Sequence, residues 1–322
     1  MKREAAARIA ENARRLDRSR RQFMTGLSAA ATTLLTFAQG HAAHGNTGGT
    51  FAVPKEAAFE EAAAAQAIGG SEFILDVQTH LLDPQAPWRR GRNGAAIARG
   101  LSGGQGQCGR PDPVDCYAAD EFIKEMFLDS DTSMAVVSFM PGLPDDNLLT
   151  LKEAARTREL VAAMGGNRRL MLHAMVIPNH LPRAAQLDGM RAAARAWPIS
   201  AWKVYTQWGP TGVGWWLDDP EVGIPFIETA RSLGIRTICV HKGLTFGGHR
   251  PEFARCDDVG RVAKRYPDVK FLIYHSGFEA GGREGEYRAS GPVVGVDSLI
   301  RSLRDNGVAP NSNVYAELGS TW

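Results

Sequence analysis

No apolar run in this chain of 322 residues is long enough to serve as a comfortable membrane span. The best candidate, Met24 to Ala38, falls short of the ~20 residues that a bilayer crossing takes. Cysteine is scarce as well. Four residues do not make a disulfide scaffold. Cys108 and Cys116, eight apart in one loop, are placed to pair; Cys239, two before His241, reads as a buried thiol; Cys256, near a helix start, has no evident partner. A glycine-rich phosphate loop is lacking where it would count. Thr79-His80-Leu81-Leu82 follows the first strand instead, and this argues against a nucleotide cofactor. Excess charge is lacking too. The net +2 is misleading, because residues 1–21 carry eight Lys/Arg against three acidic residues, which leaves −3 for the rest. No nucleic-acid footprint remains.

The basic end has its own reading. Ser19-Arg20-Arg21-Gln22-Phe23-Met24 resembles a twin-arginine translocation signal, followed by a modest apolar segment and small residues around Gly40-His41-Ala42-Ala43. The resemblance implies export to the periplasm, with the translocation machinery as a partner. The expected organisation is a signal peptide over 1–43, a linker and helix over 44–72, and one main domain over 73–322.

That domain opens on Phe73-Ile-Leu-Asp-Val-Gln-Thr-His80, which reads as a buried parallel strand with a polar tip. Alternation puts Asp76, Gln78 and His80 on one face. Two later apolar runs also end in histidine, at His241 and His275. Further strands are expected over Ser133–Phe139, Leu170–Ile177, Ala201–Thr206 and Asn313–Leu318. Helices are expected over Pro54–Ala67, Asn147–Met164, within Pro182–Trp197, from Asp219 to Leu233, near Asp258–Arg265 and near Val296–Asn306. Strict alternation of strand and helix points to an α/β fold, a TIM-type (β/α)8 barrel with its chemistry at the C-terminal strand ends. A doubly wound open sheet is the alternative. The sequence stops just past strand seven, at Trp322, so the expectation is a fragment of a barrel truncated there.

Asp76-Val-Gln-Thr-His80, His241 ending strand five and His275 ending strand six resemble the amidohydrolase superfamily, and within it the amidohydrolase-related (amidohydrolase 2) family of metal-dependent hydrolases and decarboxylases. The resemblance implies one divalent metal ion, zinc foremost, with His80 and His241 as ligands. His275 is implied as a third ligand or as the catalytic acid/base. Two departures stand out: Gln78 occupies the place of the first histidine of the family's H-x-H, and the strand-eight aspartate lies beyond the sequence. The implied activity is a metal-activated water attacking a C–N, ester or lactone bond of a small-molecule substrate. Alternatives are a metal-dependent decarboxylase of an aromatic or unsaturated acid, and an inactive or ligand-binding barrel.

Other candidates follow from position. Lys203, on strand four, is a carboxylated lysine, an internal ion-pair partner or a binder of a substrate carboxylate. Glu317, near the end of strand seven, is a substrate-positioning group or an acceptor behind a ligand histidine. Trp208, Trp215 and Trp216 either wall an aromatic site or pack the barrel rim. The insert Asp83–Asp120 is expected to cover the mouth as a lid. His173 and His180 read as structural or exposed, while His41, His44 and His249 fall in leader, linker and loop.

Overall fold

The computed structural model describes residues 2–24, 26–43, 53–68, 73–91, 93–102, 108–165, 169–245, 250–280, 284–290 and 293–319. The linker residues 44–52, with His44, the glycine stop at 69–70, His249 and residues 320–322 lie outside that set. The chain divides into two units, Met1–Phe73 and Ile74–Thr321.

In the first unit the basic leader is helical over Lys2–Arg15, Arg20–Met24 and Leu27–Ala43. Ile9 and Ala13, one turn apart, bury with Phe23 and Ala29. Arg20 and Arg21 are exposed. Among the described residues no helix is long and apolar enough to cross a membrane. The single helix expected over Pro54–Ala67 is instead two pieces, a 3-10 turn Lys55–Ala58 and an α-helix Glu61–Ile68. Phe59 between them takes φ −144° and ψ 2°, values no helix holds, and this breaks the run.

The second unit is a seven-stranded, wholly parallel sheet in sequence order. Its strands are β1 (Leu75–Thr79), β2 (Met134–Val137), β3 (Leu170–Met175), β4 (Ala201–Tyr205), β5 (Thr237–His241), β6 (Lys270–Tyr274) and β7 (Val314–Ala316). Helices Leu151–Ala163, Arg183–Ala196, Gly223–Ser232, Val259–Arg265 and Val296–Asp305 separate the strands from β2 onward. This is the α/β arrangement of a TIM-type barrel through seven strands.

Two helices start later than the sequence predicts, and capping explains both. Thr150 Oγ1 accepts from Glu153 N at 3.1 Å, so the helix begins at Leu151 rather than Asn147. Asp219 Oδ1 accepts from Glu221 N and Val222 N at 2.8 and 2.9 Å, closing a turn that precedes the helix at Gly223.

Strand alternation divides the core. Trp202 and Val204, Ile238 and Val240, Phe271 and Ile273 bury on the helix-covered face. Ala201, Cys239 and Tyr274 bury together on the other, with Leu272 against them. The sheet curls so that β1 meets β6 across this inner face: Tyr274 Oη donates to the Val77 carbonyl, and Gln78 Nε2 lies 3.3 Å from His275 Nε2. A register irregularity between Asp76 and Thr79 accompanies that contact. The insert after β1 has its own small core of Leu82, Ala86, Trp88 and Val114. A disulfide joins Cys108 and Cys116, with Cα atoms 5.5 Å apart.

Candidate active site

The functional groups stand at or just past the ends of β1, β5, β6 and β7, with Lys203 on the inner face of β4. His241 is the last residue of β5 and is buried. Its ring stacks on Tyr205 at 4.6 Å and meets the His275 ring edge-to-face at 4.5 Å. Tyr205 is held in turn, its hydroxyl donating to the Phe139 carbonyl at 2.9 Å.

His275 follows β6 directly and sits in a backbone conformation that side-chain-bearing residues seldom adopt. His275, Ser276 and Gly277 have φ of 61°, 53° and 81° in succession. Glu317, just past β7, fixes this bend. Its Oε2 accepts from His275 N at 3.1 Å and its carbonyl from Ser276 Oγ at 2.8 Å. The carboxylate expected behind a histidine ring therefore holds that histidine's backbone instead. The Gln78 side-chain amide stands 3.3 Å from His275 Nε2, and the ring's other nitrogen, Nδ1, faces Gly319. A Cβ on Gly319 (φ +50°) would lie 2.8 Å from that Nδ1, so only glycine passes there unstrained.

His80 lies just beyond β1, exposed on the open side and crowded by protein on the others. Its Nδ1 is 3.0 Å from the Ser138 carbonyl, an acceptor, so Nδ1 holds the proton and Nε2 keeps its lone pair. Burial, then the nearby Lys203 ammonium, pushes His80 down to about 4. His275 falls to about 4 through burial, Lys203 and His80. Both rings are neutral at neutral pH. Burial raises the Glu317 carboxyl above its ordinary value.

Lys203 is fully buried on the inner face of β4. Its Nζ lies 3.5 Å from the centroid of the Tyr274 ring and 4.9 Å from that of Tyr205. Burial brings it down to about 7.

The remaining expectations sort by contact. His173 Nε2 is 3.3 Å from Cys239 Sγ in the interior, a structural pair, and His180 is half-buried in a loop. Burial pushes the Cys239 thiol up to about 11 and Cys256 to about 12. Trp215 packs on Phe226 and Trp216 on Phe253, while Trp208 is half-buried and lines a cleft of about 560 Å³. Ile97 and Leu101 of the insert and Met140 share that cleft.

Sequence reasoning passed over Tyr205 and Tyr274, although both stand at inward strand positions. It also missed Lys242, next to His241. The Lys242 ammonium and the Asp258 carboxylate are fully buried at 2.8 Å. Lys242 Nζ also donates to the carbonyls of Phe253 and Arg255, and Asp258 Oδ2 accepts from Leu217 N. This pair ties the loops after β4 and β5 together.

The donor set has a metal ion's chemistry without its geometry. His80 and His241 are imidazole donors, and burial holds His80 in the neutral, ligating form. Yet among the described residues no three His, Cys, Asp or Glu side chains stand together as a group that would hold an ion. The described residues do not by themselves make a metal centre.

No protein-family model and no curated protein matches this chain. Among solved structures, an amidohydrolase II aligns over 63% of this chain and 67% of its own, at 16% identity and TM-score 0.36. The 4-oxalomesaconate hydratase LigJ from Rhodopseudomonas palustris aligns over 64% of each chain, at 18% identity and TM-score 0.39. A 2,6-dihydroxybenzoate decarboxylase in complex with 2,6-dihydroxybenzoate aligns over 64% of this chain and 67% of its own, at 11% identity and TM-score 0.37.

Proposed function

We propose that this chain carries the working face of an amidohydrolase-type hydrolase, one that adds water to the carbonyl carbon of a small ester, lactone or amide. The observation that carries the reading is the posture of His275. A neutral imidazole is held in a left-handed backbone by Glu317, edge-on to His241, at the mouth end of a parallel sheet. A ring so fixed can take a proton from an attacking water and return it to the leaving group. The Gln78 amide stands beside its Nε2, and Lys203 is buried against the ring of Tyr274, the residue before it. Binding of a divalent ion such as zinc at His80 and His241 belongs to this proposal as a question of affinity, since those side chains need a further ligand. The test is hydrolysis of aryl esters and lactones by the purified protein, with and without added zinc. His275→Asn should lower the rate at least about 100-fold, and equal rates in the two proteins would sink the reading.

We also propose that the protein is exported through its paired arginines, both of which are exposed. Arg20→Lys with Arg21→Lys should leave it in the cytoplasm. Undiminished periplasmic recovery of the double variant would rule this out.

A further inference from the structure

We infer that residues 53–68 are a latch on the leader that precedes them, holding its apolar half folded until the translocation machinery takes it. The inference rests on the export reading and adds a regulation of that signal.

The two halves of the leader stand in opposite states. Arg20 and Arg21, the charged half of the twin-arginine pattern, are exposed and open to a receptor. Phe23, its aromatic residue, is 1% exposed and lies in a core with Ile9, Ala13 and Ala29. The apolar helix that follows, Leu27–Ala43, is closed along one face as well. Ser28, Thr32 and Thr36, successive turns of that face, are buried together with Ala31. A machinery that engages an apolar segment needs that face bare, so whatever covers it competes with recognition.

The cover comes from beyond the signal. Ala31 forms a core with Ala57 and Ala64, and none of the three keeps any exposed surface. A close-packed seam of such small side chains has no room for a larger one. Thr32 stands beside this seam. Its hydroxyl hydrogen is shared between the carbonyls of Ser28 and Ala58, at 2.8 and 3.3 Å, and its oxygen accepts from Asn12 Nδ2 at 3.0 Å. One side chain thus ties the first leader helix, the apolar helix and the later segment together. Arg15 lies over the Phe59 ring, 4.1 Å from its centroid, and Arg18 pairs with Glu61. Both partners of that ion pair are exposed, so it adds little to the hold. The alanine seam is the stronger fastening.

The test compares the full chain with two double variants that leave residues 1–43 untouched. Ala57→Glu with Ala64→Glu drives charge into the seam. Ala62→Glu with Ala65→Glu places the same charge on exposed positions of the helix Glu61–Ile68. In hydrogen exchange on protein purified with its leader attached, the amides of Leu27–Ala43 should be protected in the wild type. The seam variant should speed their exchange at least about 10-fold and leave the amides of β3 to β6 unchanged. In pulse-chase fractionation the seam variant should reach the periplasm at least about twofold faster than the wild type, and the exposed variant at the wild-type rate. Unprotected Leu27–Ala43 amides in the wild type overturn the inference with no variant needed. A seam variant that keeps its protection, or that opens the leader and is exported no faster, overturns it equally, as does equal acceleration by the exposed variant. Arg20→Lys with Arg21→Lys judges export separately. Undiminished export of that protein removes the export reading and the latch with it; its retention in the cytoplasm, beside an unchanged rate for the seam variant, removes the latch alone.

Discussion

A buried ammonium works against folding, and Lys203, with no hydrogen-bond acceptor among the described residues, makes that cost measurable. Lys203→Met should raise the stability of the fold at pH 7 by about 1–3 kcal/mol in urea denaturation, because an apolar side chain of similar length removes a poorly solvated charge. The same group has a pH signature. Its pKa is about 7 in the fold against an ordinary 10.5, so the unfolded chain binds more protons between those values. Stability contributed by this group is therefore full above about 10.5 and is lost as pH falls toward 7. His173, which burial and Lys203 hold well below 6.5, continues the decline below that pH. The melting temperature should fall across both windows, and Lys203→Met should flatten the upper one. At Gly319 the expectation concerns the rate rather than the fold. A methyl group there strikes the His275 ring and Glu317, so Gly319→Ala should cost about 10²-fold in hydrolysis through misplacement of the ring.

At the scale of elements, the loops after β4 and β5 are joined by the Lys242–Asp258 pair. Lys242→Met leaves a carboxylate buried with no cation beside it, and should destabilise the unit by about 3–5 kcal/mol. Lys242→Met with Asp258→Leu should recover most of that loss in the same denaturation experiment, since an apolar pair carries no uncompensated charge.

The strands were legible in the sequence because alternation and apolar runs are local signals. β3 through β6 stand where their patterns put them, and His241 and His275 stand at the expected ends. What the sequence hid was pairing at a distance. Gln78 and His275 are 197 residues apart in the chain, and nothing near either announces the other. Lys203 was visible as a charge on a strand, but the tyrosine faces it lies against come from β4 and β6, and no spacing shows them. For the tryptophans the sequence left two uses open, a related limit. Trp215 and Trp216 find Phe226 and Phe253, and these are tertiary neighbours that spacing does not show.

On the scale of the whole sheet, β1 and β7 each have a single hydrogen-bonded neighbour among the described strands. Open edges of this kind recruit other strands. Tyr315, in the middle of β7, is 47% exposed. The protein should associate with rising concentration in size-exclusion chromatography, and Tyr315→Lys should shift it toward the monomer. A profile that is monomeric and independent of concentration would show that these edges are protected.

The strand with the weakest lateral hold also carries part of the site. β1 is paired on one side only, its register to β2 slips between Asp76 and Thr79, and its other attachment is the pair of contacts from Val77 and Gln78 to β6. Peeling β1 away would withdraw Gln78 and His80 while β3 to β6 stayed folded. In hydrogen exchange, the β1 amides should open at lower free energy than those of β5, and mild denaturant should silence the protein before any global probe registers unfolding.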